Sequence, residues 1–370
     1  MRKRLLTKIL GTVRFCLPLY LLTLLPLSVP AVEVQEESID LEALYQQIDD
    51  AISQSPQYVA ELESRITDYR DRLLMEKSLE KSIQIAGELF QLYSSYRNDS
   101  ALHYAELCIS LADSLHRPDL VGRYRSLLAY QCSNSDMDNE SLEQLRLVKR
   151  SALDSLGLVD YYHAWMHVCG ELGSYTQREH LRQDYFAQQD LYRDSVLMVA
   201  DEGSEEWFHL KEDVLCARQL YQDALELSKE WLKKVTDGTH ESAYAAFYCS
   251  MVYDKLRNHD MTCYWLGRSA LDDIKCAVMN QASLLFLAEH LANDGDIDRA
   301  RRYVEFAKDC NLAFSPQMRA YQVNSVINVI EKSSQVTRDR TRIILVFASV
   351  VIFLLLMALI YTIILFRRRR

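Results

Sequence analysis

The chain has 370 residues, of which 49% are hydrophobic and 25% charged, a globular composition with room for one large domain or two ordinary ones. Only 10 Gly and 6 Pro occur, which argues against a fold of many strands and turns and predicts helices joined by short loops. Between two basic ends lie 33 basic residues and all 52 acidic ones, a net of −19, so the body should repel nucleic acid and anionic lipid and present a soluble, self-repelling surface.

The N-terminus opens with Arg2, Lys3, Arg4, Lys8 and Arg14, followed by the apolar stretch "FCLPLYLLTLLPLSVPA". Val29 and Ala31 are small residues at the −3 and −1 positions for a cut before Val32. Residues 1–31 therefore read as a signal peptide, with an uncleaved signal anchor as the alternative. Both send the following residues out of the cytoplasm.

From residue 32 to 335 the pattern is that of an extracytoplasmic helical repeat domain. "LEALYQQIDDAI" and "YVAELESRITDYRDRLL" read as two amphipathic helices with a turn at Ser53 to Pro56, capping the open end of a stack. The clearest repeat is "ASLLFLAEHLAND" followed by "GDIDRARRYVEFA". Here Ala288, Leu291, Gly295, Ala300 and Ala307 fall close to tetratricopeptide spacing, small where antiparallel helices approach and large where they interlock. Gly295 is suited to ending the first helix at positive φ, and Asp296 or Asp298 to capping the second.

Upstream, Ala101, Ser141, Arg178, Ala224, Met261 and Ala300 are taken as equivalent positions of successive second helices. Their spacings of 40, 37, 46, 37 and 39 exceed the usual period of about 34. The widest gap contains "DEGSEEWFHLKED", read as an inserted loop or a lengthened helix. The fold class expected is all-α, a TPR-like α-solenoid of degenerate helix pairs followed by a single transmembrane helix. Such a solenoid has a long concave face, and Tyr104 and Tyr303 fall on second-helix faces suited to an interface, although tyrosines at helical spacing are mostly packing residues.

"SPQMRAYQVNSVINVIEKSS" reads as a closing helix, and residues 336–342 as a juxtamembrane linker. Residues 343–366 carry no charge, and at 1.5 Å per residue they span roughly 36 Å, enough to cross a hydrocarbon core of about 30 Å with some tilt. Arg367 to Arg370 form a basic end at 367–370 that holds the C-terminus in the cytoplasm by the positive-inside rule. Arg338, Arg340 and Arg342 weaken that count on the other flank, and the signal peptide decides the orientation. The localisation expected is the inner membrane, single-pass, with the body in the periplasm.

Chemistry is not marked. Eight cysteines remain after Cys16 leaves with the signal peptide. They are scattered singly with no CxxC, which favours free core thiols such as Cys108, Cys249 and Cys276 over one or two bridges. In "HAWMHVC", His163 and His167 share a helix face, but Ala164 stands where a zincin needs Glu, so helix packing is the expected role. Asn98 and Asn139 match the glycosylation sequon, which has meaning only in a eukaryotic secretory pathway. No phosphate loop, GxSxG, HExxH or paired-carboxylate motif occurs. No enzyme, cofactor or metal is expected, no catalytic residue is nominated, and ligand-binding residues cannot be picked out.

Four stretches carry a resemblance: "DDAISQSPQYVAELESRI", "YSSYRNDSALHYAELCISLA", "SALDDIKCAVMNQASLLFLAEHLANDGDIDRARRYVEFAKDC" and "MRAYQVNSVINVIEKSSQ". Through them the chain, over about residues 39–366, resembles the Bacteroidota membrane-spanning tetratricopeptide-repeat regulators. The resemblance implies a periplasmic repeat sensor, one membrane helix, then a cytoplasmic coiled coil and a helix-turn-helix. This sequence stops at Arg370 instead, so the expectation is a truncated or split regulator, or one acting through a partner, without direct nucleic-acid contact.

Two roles follow. In the first, a membrane-anchored sensor binds an extracytoplasmic peptide, protein or glycan and signals through its span as a homodimer, with Ala348 and Ser349 as small residues for helix approach and lipid contact through 343–366. In the second, a non-signalling membrane-tethered scaffold holds envelope protein complexes together.

Overall fold

The computed structural model describes residues 39–314 and 343–358, together with 361, 364, 365, 367 and 368. Among these every regular element is helical. The signal peptide 1–31, the closing helix after Phe314 and the linker 336–342 lie outside the described residues.

The first helix, α1 (Leu41–Met75), is capped by Asp40, whose Oδ1 accepts from Ala43 N at 3.0 Å. It runs unbroken for 35 residues with Pro56 inside it, so the turn expected at Ser53 to Pro56 does not form. An interior proline costs about 3 kcal/mol. Burial outweighs it, because the two halves of α1 serve two different cores. Leu44, Tyr45, Ile48 and Ala51 pack with the last helices of the array, and Leu62 and Ile66 with the first pair. Each large apolar side chain buried contributes roughly 1.5–3 kcal/mol.

Helix pairs follow in order. They are α2 (Leu79–Ser94) with α3 (Asn98–Ser114), α4 (Pro118–Ser133) with the short α5 (Asp138–Arg146), and α6 (Ser155–Tyr175) with α7 (Glu179–Val199). Then come α8 (Glu205–Ala217) with α9 (Tyr221–Leu232), α10 (His240–Lys255) with α11 (His259–Lys275), and α12 (Ala282–Asp294) with α13 (Ile297–Phe314). A 3-10 turn at Arg150–Ala152 links the second pair to the third. The helices of each pair lie side by side, and α4 packs on α6.

The small fourth residue of five of the six second helices explains this pairing. Ala101, Ser141, Ala224 and Ala300 are fully buried there, and Thr262 nearly so, where the partner helix approaches. Arg178 is not one of them. It is the exposed residue before α7, and the fourth residue of that helix is Arg182. With Arg182 and Thr262 in register the spacings become 40, 41, 42, 38 and 38. The wide gap is thus no insertion: α6 and α7 have 21 residues each, and "EEWFHLKED" opens the ordinary first helix α8.

The turns also show why glycine is scarce. Gly295 ends α12 at φ 95°, and Asp296 Oδ1 accepts from Arg299 N at 3.2 Å, as expected. The same closure recurs with His116, Asp136, Gln219, Arg257 and Ala277, all at φ between 55° and 61°. In each, the next N–H reaches back five residues to a helical carbonyl, as Arg117 N does to Ala112 O and Asn258 N to Tyr253 O, both at 3.0 Å. This is the Schellman arrangement, built without the glycine that normally relieves its left-handed residue.

The array closes on itself rather than leaving α1 as an end cap. Arg299 Nη2 bonds Glu42 Oε1 at 2.7 Å, Tyr303 donates its hydroxyl to Tyr45 O at 3.2 Å, and Met279 N donates to Ser95 O at 2.8 Å. Cys310 and Phe314 of α13 share a core with Tyr93 and Tyr96 of the first pair. Where α1 crosses α11, a Cβ on Gly267 would lie 2.8 Å from Leu44 Cδ2 and 3.3 Å from its Cγ. Gly267→Val should therefore cost about 1–3 kcal/mol by overpacking, read as a lowered urea midpoint; an unchanged midpoint would mean the crossing is looser than described.

The part of the apolar run described, residues 343–358, is helical with exposed side chains. Among the described residues no helix is long and apolar enough to cross a membrane.

Candidate functional site

Two hollows compete. The larger, about 650 Å³, lies between the end of α1 and α2 and is lined by Arg72, Glu76, Lys81 and Glu88 among others. It is a charged surface notch without convergent buried polar groups. The smaller, about 380 Å³, is a cleft on the inner face of the repeats and gathers aromatic, imidazole, amide and carboxylate groups from five helices. That combination of apolar walls and a few placed polar groups is what a binding site needs.

The cleft is built by repetition. Four first helices each contribute residues one turn apart, which share a helix face. They are Tyr130 and Asn134 at the end of α4, His163 and His167 on α6, His209 and Asp213 on α8, and Tyr244 and Tyr248 on α10. Phe186 and Gln189 of α7 and Asn280 of the α11–α12 connection complete the wall. The expected second-helix tyrosines are not in it. Tyr303 is fully buried against Tyr45, and Tyr104 stacks on Tyr93 at 5.5 Å within the first pair.

Rings form a continuous floor. Tyr130 stacks on His163 at 5.0 Å and meets His167 edge-on at 4.7 Å. His163 lies 6.0 Å from His209, which lies 4.9 Å from Tyr248 and 5.7 Å from Tyr244. The two phenol oxygens are 3.3 Å apart, and Trp231 backs both rings. His163 and His167 are thus brought to one site, but as ring-stacking residues. His167 Nδ1 is 3.0 Å from Ser133 Oγ and its Nε2 is 3.9 Å from Glu171.

The electrostatics favour uncharged forms. Burial lowers the His163 pKa and takes His209 down to about 3, with the neighbouring imidazole adding to the effect. Burial raises both phenols. Asp213, exposed at the rim, has its carboxyl raised by the surrounding protein, with Arg193 opposing the shift. At neutral pH the buried rings of the cleft offer neutral donors and acceptors, with carboxyl groups of Glu171 and Asp213 around them. It suits stacking and hydrogen bonding of a polar ligand.

A sequence model describing the SusR N-terminal TPR domain matches residues 52–325. The chain belongs to that family. No curated protein matches it. The SusR-type TPR match covers α2 to α13 entirely and begins within α1, so every cleft residue falls inside it, whereas Leu44, Tyr45 and Ile48 of the closing contact lie before it.

All eight described cysteines are free, in line with the thiols expected. Six are buried, but Cys216 and Cys276 are half-exposed, so Cys276 is not the core thiol anticipated. Asn98 is buried, its Oδ1 accepting from Gln131 Nε2 at 2.7 Å, which withdraws that sequon from any glycan; Asn139 is exposed.

Proposed function

We propose that this SusR-type TPR protein is a membrane-anchored extracytoplasmic sensor of a Bacteroidota signalling or transcription-regulatory system, and that its ligand, a peptide, protein or glycan, binds in the inner cleft. The observation that carries the reading is the ladder of paired aromatic and imidazole residues on four successive first helices. Core packing alone has no need to aim neutral hydrogen-bonding groups into a solvent-reachable hollow. Membership of the family supports a regulator-like role. The apolar, exposed helix at 343–358 supports lipid contact, since a surface of that extent is otherwise covered. Binding without catalysis, a body in the periplasm and a homodimer that couples two spans belong to the same proposal.

The test uses the full chain in detergent, with Trp231 as the reporter beside Tyr244 and Tyr248. Peptides, envelope proteins and oligosaccharides are titrated in turn. Binding that changes the fluorescence should weaken about tenfold or more in Tyr248→Ala, and the same substitution in cells should erase the ligand-dependent transcript profile. Transcripts identical in wild type and variant would sink the sensing role and leave the tethered scaffold.

A further inference from the structure

Away from the cleft, α11 and α12 present a second constellation. His259 and Cys263 are one turn apart on α11, and His290 and Asp294 one turn apart on α12, so each pair shares a face of its helix. The helices are neighbours, and the faces meet. One ligand atom each of His259, Cys263 and His290 lies within 4.8 Å of the others. Cys263 Sγ is 3.7 Å from His259 Nε2, and that nitrogen is 2.7 Å from Asp294 Oδ2.

These separations have a physical meaning. Zinc–nitrogen bonds of about 2.0–2.1 Å and a zinc–sulfur bond of about 2.3 Å, set at tetrahedral angles, place nitrogen and sulfur about 3.6 Å apart. The observed 3.7 Å matches that edge, and it is also within reach of a hydrogen bond from the thiol. We propose that His259, Cys263 and His290 form a zinc site that staples α11 to α12 beneath α1, with Asp294 hydrogen-bonded to His259 at its edge. One thiolate and two imidazoles make a borderline-soft set of three donors, with a fourth position open to water, which fits zinc and argues against calcium or magnesium.

The proton balance is simple. Zinc takes the place of the Cys263 thiol proton, which leaves to solvent, and each neutral imidazole ligates through one nitrogen and carries its N–H on the other. Cys263 is fully buried, but His259 is about half exposed, so the ion has a path in from the surface. The Tyr45 hydroxyl sits beside the Cys263 thiol, which joins the site to the closing contact of α1. The reading is independent of the cleft and of any ligand there.

The full chain in detergent, stripped with chelator and dialysed against zinc, should retain about one zinc per chain by elemental analysis. Cobalt in its place should give a thiolate charge-transfer band and intense tetrahedral transitions. Cys263→Ser should abolish the band, and His259→Gln should weaken binding by about a hundredfold. Cys310→Ser, a buried thiol elsewhere, should change neither. Free zinc at a hundred times its Kd should raise the Tm of wild type by about 5 °C and that of His259→Gln by only about 1 °C. Since His259 is at the surface, its variant folds even if Cys263→Ser does not, and helical circular dichroism confirms that. Zinc below about a tenth per chain in wild type, equal retention in His259→Gln, or a cobalt spectrum without the thiolate band would each overturn the site.

Discussion

Ile48→Asp is expected to destabilise the repeat array by roughly 5 kcal/mol, more than any single change in the cleft. Ile48 is fully buried in the core that joins α1 to α11, α12 and α13. Removing it forfeits about 2–3 kcal/mol of apolar burial. Placing a carboxyl there without a partner adds about 2–4 kcal/mol, met by keeping the acid protonated. Because the same core holds the first and last helices together, the loss should appear as earlier global unfolding in urea. Ile48→Val, which keeps most of the contact, should cost only about 0.5–1.5 kcal/mol. If both variants unfolded at the wild-type midpoint, the closing contact of α1 would contribute nothing to stability.

The second large effect is in pH. Glu212 of α8 is buried with Ser228 of α9, and burial pushes its carboxyl up to about 8. Ser228 Oγ is 3.0 Å from Ala224 O and 2.5 Å from Glu212 Oε2. The Ser228 hydroxyl donates to Glu212 Oε2, which pulls the carboxyl back down, and burial outweighs it. A carboxyl with a raised folded pKa stabilises the fold fully below its unfolded value near 4.5, and that contribution is lost as pH rises through about 8. Wild type should therefore lose about 3 kcal/mol between pH 5 and pH 8.5 from this group. Glu212→Gln, which stays neutral, should remove most of that slope and be the more stable of the two at pH 8.5. Urea unfolding at the two pH values decides it: parallel profiles for both proteins would mean Glu212 is ionised in the fold.

Much of the architecture could be read from the residues. The helix–turn–helix logic of "GDIDRARRYVEFA" held in detail, down to the left-handed Gly295 and the Asp296 cap. The repeat register slipped by one at α11, where Thr262 and not Met261 is the fourth residue, and failed at α7. α7 carries Arg182 where the other second helices carry a small residue, so no local pattern marks its start. The other turns escaped notice because His116, Gln219 and Arg257 do glycine's work, and nothing in their side chains announces positive φ.

The cleft and the α11–α12 cluster were partly visible as well. His163 and His167, His209 and Asp213, Tyr244 and Tyr248, His259 and Cys263, and His290 and Asp294 are all one-turn pairs, a spacing any helix supplies by chance. What gives them meaning is which helices stand next to each other, and that is a matter of separations of tens of residues.

Local spacing, then, determined that this chain is a stack of paired helices with a long apolar run near its end, because helix periodicity and capping act over a few residues. Tertiary structure alone decided that α1 runs straight through Pro56, that the last repeats return to the first, and that the inner face collects its rings from first helices. The reason is energetic: a proline's missing hydrogen bond or an unsupported ladder of rings can be judged only against the surface buried elsewhere, and that sum depends on residues far apart in sequence.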